Sequence, residues 1–304
     1  MWFNNILVYQ YQNNTPLNFE GAFEDERLKP CPPHARFTYG WLAPFDQQLS
    51  HELAGGAVFC LGKEERILPR SVIQRQVTER IKALETTRGF AVKRSERSQM
   101  AEDIEFELLP KAFCLQKKLF ALIDTQNQWL FINTASATQS AQLLSLLRKQ
   151  FPGIQLEPLA YPPTLTLQFT NWIHNPASLP AGFELASDCL LVSLDDEKSR
   201  FNCKGGALLE IQTLLSQGYH ALEISLIWNE RIQFTLTDTL GIKRLKCLDY
   251  LQDEIHAIAD MDGEEHQLDA KLMLLSGELK GLISAIQNKL INTNAHSTAD
   301  ACAL

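Results

Sequence analysis

The sequence predicts an α+β chain: two antiparallel-sheet/helix lobes with a protruding helical hairpin arm. Three observations carry this prediction. Strand-like runs recur in pairs joined by short turns, as in Lys117–Asp124 with Trp129–Asn133. A long helical period fills Ser71–Leu109 between two strand-rich regions. Phe151–Pro163 contains Pro152, Pro158, Pro162 and Pro163 and divides the chain.

The elements follow in order. Asn5–Tyr11 reads as a strand, because Ile6, Val8 and Tyr9 are β-formers and Leu7 is apolar. Phe19–Leu28 reads as a short charged helix stopped by Pro30, since Cys31-Pro32-Pro33 cannot continue it. Phe37–Leu42 and Ala57–Leu61 are strands, with Ala54-Gly55-Gly56 turning into the second and Gly62 ending it. Ser71–Thr87 is a helix: Ile73, Val77, Ile81 and Leu84 fall on one stripe, while Arg75, Arg80 and Lys82 fall off it. Gly89 breaks that helix. Ser95–Leu109 is the next, with Ile104 and Leu108 one turn apart and Pro110 as its stop. The two form a hairpin with a polar, basic turn.

Lys117–Asp124 and Trp129–Asn133 pair around Thr125–Gln128. Ser136–Gln150 is a helix that turns Leu143, Leu144 and Leu147 inward. Beyond the prolines, Leu165, Leu167 and Phe169 alternate with Thr166 and Gln168 as a half-buried strand. Asp188–Asn202 is extended, Lys204-Gly205-Gly206 is a turn, and Ala207–Ser216 is a short helix capped by Gly218. His220, Leu222, Ile224, Leu226 and Trp228 share one strand face, and Ile232, Phe234 and Leu236 share another. Asn229-Glu230 joins them as a two-residue hairpin. Lys271–Leu290 is a final amphipathic helix. The expected domains are an N-terminal lobe of residues 1–70 with 117–160, a helical tip insertion of residues 71–116, and a C-terminal lobe of residues 161–304 ending in a helix.

Composition bounds the function. A net charge of −8 argues against a uniformly basic protein that coats nucleic acid. It leaves room for a basic groove, because counterion release depends on the charges near phosphate. Seven scattered cysteines with no C-x-x-C pair read as reduced thiols of a cytosolic protein. No apolar run reaches the length of a membrane span, and the N-terminus lacks the basic start of a signal peptide. Phosphate-loop, dinucleotide and nucleophile-elbow motifs are absent. His256 and His266 lie among carboxylates without metal-ligand spacing, so neither a metal nor a cofactor is expected.

The charge is unevenly spread. Lys63–Arg97 holds ten Lys/Arg against five Asp/Glu, a local excess of +5 that leaves −13 for the remainder. Such a stretch is either a solvated helix face or a surface that follows phosphates. Phe113, just after the second helix, has two readings: it caps the hairpin's own small core, or it projects and docks elsewhere.

Nine short words set the chain beside a known family. They are WFNNILVYQ at Trp2–Gln10, GWLAP at Gly40–Pro44, KEERILP at Lys63–Pro69 with Val72-Ile73, LLPKAF at Leu108–Phe113 and IDT at Ile123–Thr125. LLRK at Leu146–Lys149, RIQF at Arg231–Phe234, KRLK at Lys243–Lys246 and LMLLSGEL at Leu272–Leu279 complete the series. In that order the chain resembles the RdgC family of bacterial recombination-associated proteins. The resemblance implies a non-catalytic DNA-binding protein of the cytoplasm and nucleoid. It implies a curved subunit closing into a ring-shaped homodimer around double-stranded DNA and functional antagonism of RecA, and it leaves open whether single-stranded DNA is also bound. A protein-interaction module that acts on RecA directly, with incidental DNA binding, is the alternative. A metal-dependent nuclease would have to draw its carboxylates from Asp249–Asp269.

On this resemblance the DNA-binding candidates are Arg75, Arg80, Lys82, Lys93, Arg94, Arg200, Lys204, Lys243 and Arg244. Phe113 is the apolar finger of one dimer contact, and the loop with Asn202, Cys203 and Lys204 forms the other. There the family has an Asp before the next helix, and this chain has glycine.

Overall fold

The computed structural model describes residues 3–13, 15–45, 48–162, 164–193, 199–205, 208–260 and 263–291. In chain order they form β1 (Leu7–Gln12), β2 (Phe37–Leu42), β3 (Ser50–Leu53), β4 (Gly56–Ile67), α1 (Arg70–Arg88), α2 (Arg94–Leu108), β5 (Phe113–Asp124), β6 (Trp129–Ile132) and α3 (Ala137–Gln150). Then come β7 (Gln155–Pro158), α4 (Leu165–His174), β8 (Phe183–Ser193), β9 (Arg200–Cys203), α5 (Leu208–Ser216), β10 (Tyr219–Trp228), β11 (Ile232–Thr237), β12 (Ile242–Cys247), α6 (Asp249–Ala259) and α7 (Glu264–Ala285). The class is α+β, with two antiparallel sheets.

The chain divides into two compact units, one of Met1–Leu17, Glu52–Val58 and Ala121–Leu304, the other of Asn18–His51 and Phe59–Phe120. In the first, the end of β5 (Ala121–Asp124), β6, β1 and β7 lie side by side, with Tyr9 opposite Leu130 on one flank and Pro158 on the other. The proline-rich stretch thus supplies an edge strand. α3 begins at Ser136, whose side chain accepts from Gln139 N, and it buries Leu143, Leu144 and Leu147 as expected. The β5–β6 turn is held by Asp124. This fully buried carboxylate accepts from Gln126 N (3.1 Å) and Asn127 Nδ2 (2.6 Å) and pairs with Lys280 of α7 (2.9 Å).

The same unit holds the second sheet, in the order β12-β11-β10-β8-β9. Asn229 and Glu230 both take positive φ, 49° and 56°, in the hairpin between β10 and β11. Pairing resumes one residue later, at Trp228 opposite Ile232. The expected face of β10 is interrupted. A register shift between Ala221 and Glu223 buries Ala221, whose N–H donates to Thr170 Oγ1 of α4 (3.1 Å). Arg231 fixes the terminal helices. Its guanidinium meets Glu254 of α6 (2.8 Å) and Glu278 of α7 (2.6 Å), and these carboxylates push its pKa up.

Three further expectations fail. Residues 165–169 belong to α4 rather than to a strand. Five alternating residues fit either period, and the continuation decides: Leu165, Phe169, Trp172 and Ile173 are all buried on one helical face. Residues 19–28 form turns, because Phe23 takes φ 77° and enters an aromatic core 4.5 Å from the Trp41 ring and 5.2 Å from Phe59. The burial of each ring is worth about 1.5–3 kcal/mol, more than a short isolated helix supplies. Gly62 does not end its strand: β4 continues to Ile67, and Gly62 pairs with Gly40 of β2. A Cβ at Gly40 would lie 2.5 Å from Leu28 Cα, so glycine here permits close approach of two backbones.

Candidate nucleic-acid interface

The arm expected from the sequence is the α1–α2 hairpin of the second unit. Pro69 precedes α1 in extended conformation, and Gly89 ends the helix at φ 76°, its N–H bonded to Glu85 O. Of the expected stripe only Ile73 is fully buried, and Val77, Ile81 and Leu84 are half-buried. From α2, Ile104 is buried. The hairpin therefore has a thin core and a large polar surface.

That surface is less basic than the count suggests. Residues 70–108 hold eight Lys/Arg and seven Asp/Glu, a net of +1. Four of the seven acids fall within residues 102–107, near the base, where Glu105 takes Arg36 (2.5 Å) and Glu107 takes Arg80. Arg75 pairs with Glu79 one turn along α1 (3.1 Å). Arg88 pairs with Glu96 (3.3 Å), and Arg97 with Glu85 (3.6 Å). Arg66, counted in the basic stretch, is structural. Its guanidinium donates to the carbonyls of Cys31 (3.0 Å), Pro32 (3.2 Å), Leu109 (3.1 Å), Pro110 (3.3 Å) and Ala112 (3.3 Å). It ties the end of β4 to the turn after α2.

What remains defines the candidate surface. Arg70, Lys82, Lys93 and Arg94 are exposed and have no ion pair among the described residues. Lys93 and Arg94 stand at the start of α2, where the helix dipole disfavours positive charge. Their charges oppose local stability and are open to an anion. Arg75 and Arg80 are exposed but occupied. An exposed ion pair is worth only about 0–1 kcal/mol, so a phosphate can displace the carboxylate.

The remaining candidates lie on the five-stranded sheet of the other unit and are not brought together. Arg200 is exposed on edge strand β9 and Lys204 follows it, whereas Lys243 and Arg244 lie on β12 at the opposite edge. Four inter-strand steps of about 4.8 Å separate the edges by about 19 Å. Lys243 (2.7 Å) and Arg244 (3.9 Å) share Glu223, so that cluster is half neutralised.

The two dimer-contact candidates differ. Phe113 opens β5 and is 85% exposed, so it contributes nothing to the hairpin core. Its neighbours Cys114 to Lys118 are exposed as well. Cys203 is buried opposite Cys189 of β8, and burial with the adjacent thiol pushes the Cys189 thiol pKa up. Of that loop, Asn202 and Lys204 face solvent. Gly205 takes φ 61°, and its N–H donates to Asp188 Oδ1 (3.0 Å), so a carboxylate from β8 engages the turn. Gly206 lies outside the described residues.

Two residues matter that the charge count did not single out. Arg66 is one, and its partners are 34 to 46 residues distant in sequence. Phe90 is the other, 62% exposed in the hairpin turn. The run Arg88-Gly89-Phe90-Ala91-Val92-Lys93-Arg94, an aromatic beside a helix-ending glycine among cations, carried the signal.

Comparison with known proteins gives the context. Residues 1–293 match the family described as "RdgC: Putative exonuclease, RdgC". The chain is 33% identical over 300 residues to the recombination-associated protein RdgC of Pseudoalteromonas translucida, covering 95% of this chain and 98% of that one. It is 31% identical over 296 residues to the protein of that name from Psychromonas ingrahamii, covering 94% and 97%. The Yersinia pestis protein of that name is 31% identical over 291 residues, covering 93% of this chain and 95% of its own. With likeness along nearly its whole length, this chain belongs to the RdgC family of recombination-associated proteins.

Proposed function

We propose that the protein binds DNA without sequence preference, as a ring-shaped homodimer around the duplex, and restrains RecA-dependent recombination without catalysis of its own. The observation that carries this reading is full-length membership in a family whose relatives are named for recombination. The unpaired cations of the hairpin add a physical means, since Lys82, Lys93 and Arg94 can displace condensed counterions without reading bases. A closed two-fold ring needs two self-complementary contacts on each subunit. The exposed Phe113 suits one, and the loop of Asn202 and Lys204 suits the other.

Closure makes a topological prediction. Protein loaded on closed circular duplex should survive a wash in high salt and be released when the circle is cut. Equal loss from circle and cut duplex would remove the ring. Strand exchange by RecA separates this reading from direct contact with RecA. Lys93→Gln with Arg94→Gln should weaken DNA binding and inhibition together, whereas inhibition that survives the loss of DNA binding would favour direct contact.

The family description favours a second reading, an exonuclease. Such chemistry calls for clustered carboxylates around divalent metal. Among the described residues no group of three or more His, Cys, Asp or Glu is placed to hold a metal ion. Within Asp249–Asp269, Glu254 is engaged by Arg231. End-labelled duplex incubated with the protein and Mg²⁺ or Mn²⁺ should keep its full length; progressive shortening would establish the nuclease.

A further inference from the structure

The hairpin turn is built more firmly than a solvent-exposed connection requires. Val92 is buried beneath it, and its N–H donates to Glu85 Oε1 (2.9 Å). Arg97 Nε donates to the Val92 carbonyl (3.2 Å) while its guanidinium pairs with Glu85 (3.6 Å). Arg88 pairs with Glu96 (3.3 Å), which also accepts from Lys93 N (3.2 Å). These contacts join both helices across the turn and fix its backbone.

On this frame sits Phe90, 62% exposed. Phe113, at the other end of the hairpin, is exposed and without a ring partner among the described residues, whereas two other exposed aromatics of the same unit have partners. Phe106 stacks on His34 at 3.9 Å, and Phe37 lies 5.3 Å from Tyr39 with Lys63 Nζ 4.9 Å above its ring. Phe90 has no ring or cation partner among the described residues. It is followed three and four residues later by Lys93 and Arg94, which have no ion pair among the described residues. An open aromatic within one short turn of open cations in sequence complements a base with its flanking phosphates. Inside a duplex, base faces are covered by stacking; in a single strand they can open to a side chain. The adjoining positive charge selects nucleic acid over an uncharged apolar partner.

We propose that Phe90 is a stacking platform for an unpaired base of single-stranded DNA, with Lys93 and Arg94 on the neighbouring phosphates. This rests on the DNA-binding reading above and adds a ligand-specific residue to it. The hairpin tip then distinguishes single strands from duplex, while the other cations serve both.

Full-length protein tests this by fluorescence anisotropy with three labelled probes: a single strand of 20 nucleotides, a duplex of that sequence, and an abasic strand of the same length. Phe90→Ala should weaken single-strand binding about tenfold, the scale of one lost base–aromatic stack, and change duplex binding less than twofold. Phe90→Trp should preserve single-strand affinity, and its fluorescence should be quenched by the single strand but not by the abasic strand. An unaltered melting temperature confirms that Phe90→Ala remains folded. Equal affinity of wild type and Phe90→Ala for the single strand overturns the proposal, as does an equal loss on all three probes. Failure of the wild type to bind any probe would instead reject the DNA-binding reading. Duplex binding with no single-strand binding would reject Phe90's role alone.

Discussion

At the base of the hairpin, Arg66 gives its donors to five backbone carbonyls and Arg36 and Arg80 each meet a carboxylate of α2. At the tip, the side chains of Lys93 and Arg94 have no ion pair among the described residues and sit where the helix dipole opposes them. The same residue types serve cohesion at one end and leave charge unsatisfied at the other. The contrast teaches that a local count of Lys and Arg measures charge present, whereas binding depends on charge available. The excess of +5 over Lys63–Arg97 shrinks to a few open cations once partners are assigned.

The largest expected effect breaks the base. Arg66→Ala strips the donors from five carbonyls. Hydrogen bonds to a charged group are worth about 1.5–3 kcal/mol each, and a partly exposed set loses part of that to water, so we expect about 3 kcal/mol overall. Thermal unfolding should shift down by roughly 6–12 °C. Duplex affinity below the transition should stay within twofold of wild type. A loss of DNA binding with no change in melting would mean that Arg66 contacts DNA and that the division between base and tip is misplaced.

Next is the group at the base that faces outward. Phe113→Ser removes an exposed ring and should leave the fold intact. If that ring anchors a dimer contact, its loss costs about 2 kcal/mol and weakens association roughly thirtyfold, visible by analytical ultracentrifugation. An unchanged dimer would remove the finger.

The smallest effect concerns pH. Lys117 and Lys63 hold the Glu65 carboxyl below the usual carboxylate range. A depressed folded pKa gives stability that is present above the unfolded value and lost as pH falls through the folded one. Glu65→Gln should thus lower stability slightly at neutral pH and converge with wild type in acid. The exposure of the pair keeps the difference below about 0.5 kcal/mol, read from urea unfolding at two pH values. Curves that separate further in acid would contradict the assignment.

The contrast also shows what a sequence discloses. The hairpin was legible because its signals are local: an apolar stripe of period 3.6, Gly89 as left-handed cap and Pro110 as stop. The β10–β11 and β5–β6 hairpins were legible for the same reason. Residues 165–169 misled because a strand and a helix share that short pattern, and only Trp172 and Ile173 separate them. The turns at 19–28 depend on Phe23 meeting Trp41 and Phe59, a tertiary event. Candidate cations were legible as residues but not in their state. Arg80 finds Glu107 across the hairpin, 27 residues away, and Lys243 finds Glu223 across the sheet. The spacing of Arg200 from Lys243 follows from strand order, which no short motif encodes.

The salt dependence of duplex binding tests the central claim most directly. Log affinity should fall linearly with log salt, by about 0.9 per phosphate contact. Lys93→Gln with Arg94→Gln should make the slope shallower by about 2 without lowering the melting temperature. A flat line for the wild type, or an identical slope for the double variant, would contradict a phosphate-binding hairpin tip.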